Sequence, residues 1–248
     1  MHNNAIILLN TRPQPTNNEL SELLQVELGI QVLQLPTITI QPVTSYLDEP
    51  VDYLIFTSAN AVLHSQASLI EDKDTIPVIA IGEKTKATLQ QLGWKNILTP
   101  SVANSEAVIA MPLLHDINNK KIAIVTGEDG RALLYEQLSQ KGAVITELFC
   151  YKRVMPQRID QSIVKKIEVE NIAIVLITSI ACYDNLCTIL GDAVTKLQKS
   201  SLWLVFSDRI KTHMENDIAQ SQIYVCEPNQ AAIIAKVKMI CKDLTDER

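Results

Sequence analysis

Short polar groups recur in this chain wherever an apolar, β-branched run gives way to a helical pattern. Asn10, Thr11 and Arg12 close the run at residues 5–10; Thr57, Ser58, Ala59 and Asn60 follow 53–56; Gly82, Glu83, Lys84 and Thr85 follow 78–81. Thr126 and Gly127 close 122–126, Thr178 and Ser179 follow 174–177, and Ser207, Asp208 and Arg209 follow 203–206. Each hydroxyl taken alone reads as a helix N-cap, because such side chains accept from the unpaired N–H groups of a first helical turn. As a set they carry more. Ligands of open α/β sheets bind outside the carboxyl ends of the strands. Several helix starts with exposed N–H groups, hydroxyls and a few cations form a surface suited to carboxylates or phosphates.

The elements that must position these groups are clearest between residues 121 and 153. An apolar run at 122–126 is followed by a turn at 127–130 and a helix over 131–141, with Leu133, Leu134 and Leu138 at helical spacing. Gly142 stops that helix, and a second strand covers 144–151. Two parallel strands need such a crossover helix.

The same pattern opens the chain: a strand at 5–10, a helix at 19–28 ended by Gly29, and a strand at 31–35. Thr57 and Ser58 lead into a helix over 59–69, as Thr178 and Ser179 lead into one that runs to Leu190 before Gly191. Residues 78–81 precede Gly82 and a helix stopped by Gly93; residues 203–206 precede Ser207 and a helix through Met214. Each series closes with a short strand (96–98; 223–225), a proline (Pro100; Pro228) and an amphipathic helix (105–114; 230–242). So long a period signals duplicated domains rather than a solenoid. The expected fold is α/β: two doubly wound, flavodoxin-like parallel-sheet lobes, each covered by helices on both faces.

Composition narrows the function. The net charge of −6 gives no broad basic surface for nucleic acid, and 4% aromatic content without basic interleaving argues against a base-stacking groove. The start MHNNAIILLN lacks the basic region of a signal peptide, and the longest apolar run, at about 172–182, is too short to cross a membrane. A cytoplasmic protein is expected. Cys150, Cys182, Cys187, Cys226 and Cys241 are scattered without CxxC spacing and read as buried, reduced thiols. His2, His64, His115 and His213 show no metal-ligand spacing. There is no GxxxxGK[ST], no GxGxxG and no GxSxG, so an enzyme built on this chain would work without a cofactor.

The chain resembles the uroporphyrinogen-III synthase (HemD) family over essentially its whole length. The matching segments are Leu9-Asn10-Thr11-Arg12-Pro13, Phe56-Thr57-Ser58-Ala59-Asn60-Ala61-Val62, Ala80-Ile81-Gly82 with Thr85, Ser105-Glu106, the GEDGR turn ending at Arg131, Gly142-Ala143 and Tyr151-Lys152-Arg153. Each is a weak motif; their order and spacing make the match specific. The resemblance implies that the lobes are not sequential halves. One would comprise residues 1–37 plus 158–248 and the other 51–149, with 38–50 and 150–157 as connections that form a two-stranded β-ladder.

The reaction so implied converts the linear tetrapyrrole hydroxymethylbilane to cyclic uroporphyrinogen III, with loss of water and inversion of the last pyrrole ring through a spiro intermediate. It implies no metal, no nucleic acid or membrane partner, and a monomer. The substrate's carboxylates would meet Thr11, Arg12, Thr57, Ser58, Gly82, Thr85, Gly127, Arg131, Lys152, Arg153, Thr178, Ser179, Ser207 and Arg209. Tyr151 matches the tyrosine of the family's strand-end motif and would be the catalytic residue, its phenol donating to the departing hydroxyl. Two α/β lobes also describe a cytoplasmic binding module for an anionic small molecule, without catalysis, and that is the alternative reading.

Overall fold

The strands at 78–80 and 174–177 are runs of consecutive buried apolar side chains, as expected where helices cover both faces of a parallel sheet. The computed structural model describes residues 6–14, 16–65, 75–130 and 132–246. In chain order the first elements are β1 (Ile7–Asn10), α1 (Thr16–Leu28), β2 (Gln31–Gln34), β3 (Thr39–Pro42), β4 (Tyr53–Phe56), α2 (Ala59–His64), β5 (Val78–Ala80) and α3 (Glu83–Gln91). β6 (Ile97–Leu98), α4 (Ser105–Ile109), β7 (Lys121–Gly127), α5 (Leu133–Gln140) and β8 (Val144–Val154) follow. The last stretch holds α6 (Gln161–Val169), β9 (Ile174–Ile177), α7 (Ile180–Leu190), α8 (Val194–Ser200), β10 (Leu202–Val205), α9 (Asp208–Met214), β11 (Ile223–Val225) and α10 (Gln230–Asp246).

These elements form two compact units, Met1–Thr39 with Val154–Arg248, and Ile40–Arg153. The first carries a five-stranded sheet in the order β2-β1-β9-β10-β11 and the second a six-stranded sheet in the order β3-β8-β7-β4-β5-β6. Apart from that of β3 with β8, every neighbouring pair in the two sheets is parallel.

Alternation along the strands sorts the cores. In the first unit Leu9, Val175, Ile177, Trp203 and Val205 face α6, α7, α8 and α9, whereas Leu8, Ile174, Leu176 and Leu204 face α1 and α10. In the second, Leu54, Phe56, Val78, Ala80, Ala123 and Val125 pack with α2 and α3, and Ile55, Ile79, Ile122 and Ile124 with α4 and α5. This is the period of two that sends successive Cβ atoms to opposite faces.

Gly29, Gly93, Gly142 and Gly191, the expected helix stops, all have positive φ. The helix expected over 105–114 is interrupted. α4 ends at Ile109, and Pro112–Leu114 forms a separate 3-10 turn, since a proline lacks the N–H that a continuing helix would use. β8 runs past the expected end at 151 to Val154, with β3 as its neighbour and Val43 N–H donating to Cys150 O at 2.9 Å. α6 and α8 were not anticipated from sequence. The helix expected over 59–69 is seen as α2; residues 66–69 lie outside the described residues.

Candidate active site

In the second unit three strand ends converge on one depression. After β4, Ser58 has extended backbone and caps α2, accepting from Ala61 N–H at 3.0 Å. Thr57 donates to Thr126 Oγ1 at 2.8 Å, which ties the end of β4 to the end of β7. After β5, Gly82 starts α3 without a side-chain cap, and a Cβ there would come within 3.0 Å of Ala103 Cβ. The cavity, about 290 Å³, is lined by Thr57, Ser58, Asn104, Thr126, Asp129, Gly130, Glu147, Tyr151 and Arg153 among others. That volume is at the small end for ligand pockets, so it admits one part of a large ligand.

Tyr151 is the centre of this site. A register shift between Thr126 and Gly127 pairs Gly127 with Tyr151, and Glu128 N–H donates to Tyr151 O at 2.9 Å. The side chain is 2% exposed. Its hydroxyl lies 3.1 Å from Ser58 Oγ and accepts from Arg153 Nη2 at 3.2 Å, while the Arg153 guanidinium sits 5.4 Å from the ring centroid. His64 packs a tilted ring 6.1 Å away. Next to it, Cys150 is buried against Thr126 O and Ala61 O, and burial pushes its thiol up to about 11. A thiol of that kind is inert rather than nucleophilic.

The expected residues thus divide. Thr57, Ser58, Tyr151 and Arg153 come together, with Gly127 beneath the phenol ring and Gly82 close by. Lys152, half-buried, is not among the pocket's lining residues. Arg131 lies outside the described residues. Thr85 is buried in α3.

The first unit repeats the arrangement. Ser179 caps α7 by accepting from Cys182 N–H at 3.1 Å, with Thr178 beside it, and Ser207 caps α9 with Arg209 in its first turn. Thr11 differs from expectation. It is fully buried, donating to Leu176 O and touching Cys182 Sγ, so its hydroxyl is occupied inside the fold. Arg12 is half-buried. Its Nη1 is enclosed without a hydrogen-bond partner among the described residues, and burial lowers its pKa, opposed by Glu19.

Asn104, Asp129, Gly130 and Glu147 were not singled out from sequence as site residues. Asn104 could have been, because it immediately precedes a helical pattern and caps α4 through Ala107 N–H at 2.7 Å. Asp129 and Glu147 bring carboxylates to the pocket, where Arg153 is the cation among the described lining residues.

A family model described as uroporphyrinogen-III synthase HemD matches residues 18–235. The chain belongs to this family. A uroporphyrinogen-III synthase of Proteus mirabilis is 32% identical over 160 residues, spanning 59% of this chain and 80% of that protein. One from Escherichia coli is 30% identical over 159 residues, 59% of this chain and 64% of that protein. Among solved structures, uroporphyrinogen-III synthetase from Helicobacter pylori superposes with a TM-score of 0.62 at 16% identity, covering 94% of this chain and 98% of that one. A mutant uroporphyrinogen III synthase from Thermus thermophilus gives 0.57 at 13% identity, over 96% and 100%. At those identities the structural likeness speaks to the mixed α/β fold with parallel sheets. Membership makes the chain an enzyme, a lyase of porphyrin and haem biosynthesis, and the non-catalytic binding reading is not favoured. No helix among the described residues is long and apolar enough to cross a membrane.

Proposed function

We propose that this chain closes hydroxymethylbilane to uroporphyrinogen III with Tyr151 as the acid that releases the hydroxyl as water. The observation that carries the assignment to Tyr151 is its placement: a phenol on β8 opposite the end of β7, lining a cavity made by three strand ends, with its oxygen held by Ser58 and Arg153. A group fixed within reach of a departing oxygen meets the first requirement of general acid catalysis. The remaining chemistry, attack by the substituted carbon of the last pyrrole and reclosure through the spiro intermediate, needs the chain folded around itself, and positioning of that kind supplies several kcal/mol.

Substrate carboxylates would be met mainly by N–H groups and hydroxyls. The start of α3 supports this, because Gly82 offers no side chain to satisfy the first-turn N–H groups and an anion can do so. Thr57, Gly127, Lys152, Thr178, Ser179, Ser207, Arg209, Arg12 and Arg131 complete the proposed contacts. Thr11 and Thr85, both buried, would act through the backbone they brace. Ser58 and Arg153 are taken up below.

The finer architecture is also a proposal. Read from β1, the first sheet has the flavodoxin-like order 2-1-3-4-5. Without β3, the second gives the same order when counted β7, β8, β4, β5, β6. That supports two copies of one flavodoxin-like lobe, at residues 1–37 plus 158–248 and at 51–149, with the chain entering the second copy at its third strand. The enzyme is proposed to act as a cytoplasmic monomer without a cofactor.

Hydroxymethylbilane closes unaided to the type I isomer, so the decisive assay is the isomer ratio. Increasing enzyme should redirect product to type III. Type I alone at every enzyme level would refute the assignment.

A further inference from the structure

The groups around Tyr151 Oη have donor and acceptor roles that chemistry largely fixes. Arg153 has no acceptor, so its Nη2 must donate to Oη at 3.2 Å. Ala61 N–H can only donate, and it occupies one lone pair of Ser58 Oγ at 3.0 Å. Ser58 is left with its hydroxyl hydrogen and one lone pair, 3.1 Å from Oη, and this bond can run in either direction. A phenol can donate to Ser58. A phenolate cannot, and then Ser58 must turn its hydrogen toward Oη.

We propose that Ser58 and Arg153 are positioning residues that cradle the phenolate of Tyr151, and not grips for substrate carboxylates. The inference rests on the reading of Tyr151 as the acid. In the acid step the Oη–H bond breaks and its proton joins the leaving hydroxyl. The substrate C–O bond breaks with its electron pair moving to that oxygen, and water departs. The electron pair of the broken O–H bond stays on Oη, faced by Arg153 N–H and Ser58 O–H. When the ring recloses, the attacking pyrrole carbon loses its hydrogen as a proton, which returns to Oη. The balance is the net loss of one water.

Three observations favour the cradle over carboxylate binding. Both groups already converge on one oxygen within hydrogen-bond distance. The guanidinium lies over the phenol ring, 5.4 Å from its centroid. Asp129 and Glu147 share the cavity with Arg153, so Arg153 supplies the positive charge opposite a developing oxyanion. Donors fixed before the charge appears need no reorganisation when it does, and hydrogen bonds to an ionised oxygen are the stronger kind.

The test is a set of double-mutant cycles between Tyr151→Phe and each of Ser58→Gly and Arg153→Gln, with kcat and KM measured for type III formation. Glycine serves nearly as well as serine at an N-cap, and Arg153 is exposed, so the second cycle stands should the first variant unfold. Each single variant is expected to lower kcat by about 10²- to 10³-fold with KM near that of the parent. Neither should lower kcat further once Tyr151 is phenylalanine. Arg153→Lys, which keeps a cationic donor, should recover part of the loss. Equal losses in the Tyr151→Phe background, or effects confined to KM, would overturn the cradle and leave these residues as substrate contacts. Full activity of Tyr151→Phe by itself would overturn the acid reading beneath it, and is told apart by that single variant.

Discussion

A Cβ at position 127 would lie 2.6 Å from Cζ of Tyr151 and 3.0 Å from its hydroxyl oxygen, so the phenol ring occupies the space that Gly127 leaves. Gly127→Ala must therefore move the ring. Overpacking of this kind costs about 1–3 kcal/mol. Urea unfolding should show that loss, and kcat should fall with it because Oη is carried away from Ser58 and Arg153. Wild-type kcat in a folded Gly127→Ala protein would separate the ring's position from the chemistry.

Tyr151→Phe removes the hydroxyl and keeps the ring. Loss of its hydrogen bonds at a 2% exposed site should cost about 0.5–1.5 kcal/mol of stability. If the phenol is the acid, kcat should fall by about 10²- to 10⁴-fold, and the product should shift toward type I by uncatalysed closure. Chromatographic separation of the isomers reads both effects.

Thr11→Val tests the buried hydroxyl of the first unit. The substitution keeps the shape but removes the hydroxyl that donates to Leu176 O and one of the two hydroxyls at Cys182 Sγ, the other being that of Thr37. The expected cost is about 1–3 kcal/mol in urea unfolding, with KM unchanged because the side chain is fully buried. A rise in KM at full stability would return Thr11 to the substrate contacts.

Cys150 predicts an alkaline limit. Burial raises its folded pKa to about 11 from the ordinary thiol value of 9.0. The unfolded chain therefore loses the proton first as pH rises. The contribution to stability is complete below about pH 9 and is lost as pH climbs to about 11. The urea midpoint should decline over that window, and Cys150→Val should show a shallower decline. At neutral pH the thiol should resist alkylation until the protein unfolds; rapid labelling of the native enzyme at Cys150 would contradict the burial.

The βαβ run from β7 through α5 to β8 was legible because its signals agree. It has a buried β-branched strand, leucines at helical spacing and a glycine at the helix end whose φ of 85° a side chain would resist. The hydroxyls at strand ends were legible for the same reason, and Ser58, Ser179 and Ser207 all cap helices from nearly identical extended conformations. α6 and α8 were missed, α6 despite Ile163, Val164 and Ile167 at helical spacing behind the Asp160 cap. The break after α4 needed the proline at 112 to be weighed above the surrounding apolar spacing.

The chain's own sequence determined that it alternates strands and helices, which polar groups stand at the strand ends, and which family it belongs to, because periodicity, glycine stops and motif order are local or linear properties. Tertiary structure alone decided what those groups touch. Thr11 and Thr57 occupy comparable strand ends, yet one is buried against Leu176 and Cys182 and the other lines an open cavity. Ser58 meets Tyr151 across 93 residues only because β4 and β8 both flank β7 in one sheet. Such contacts depend on strand order and register, which no spacing within the chain encodes, and the partners that set the roles of Tyr151, Ser58 and Arg153 appear only once the sheet is assembled.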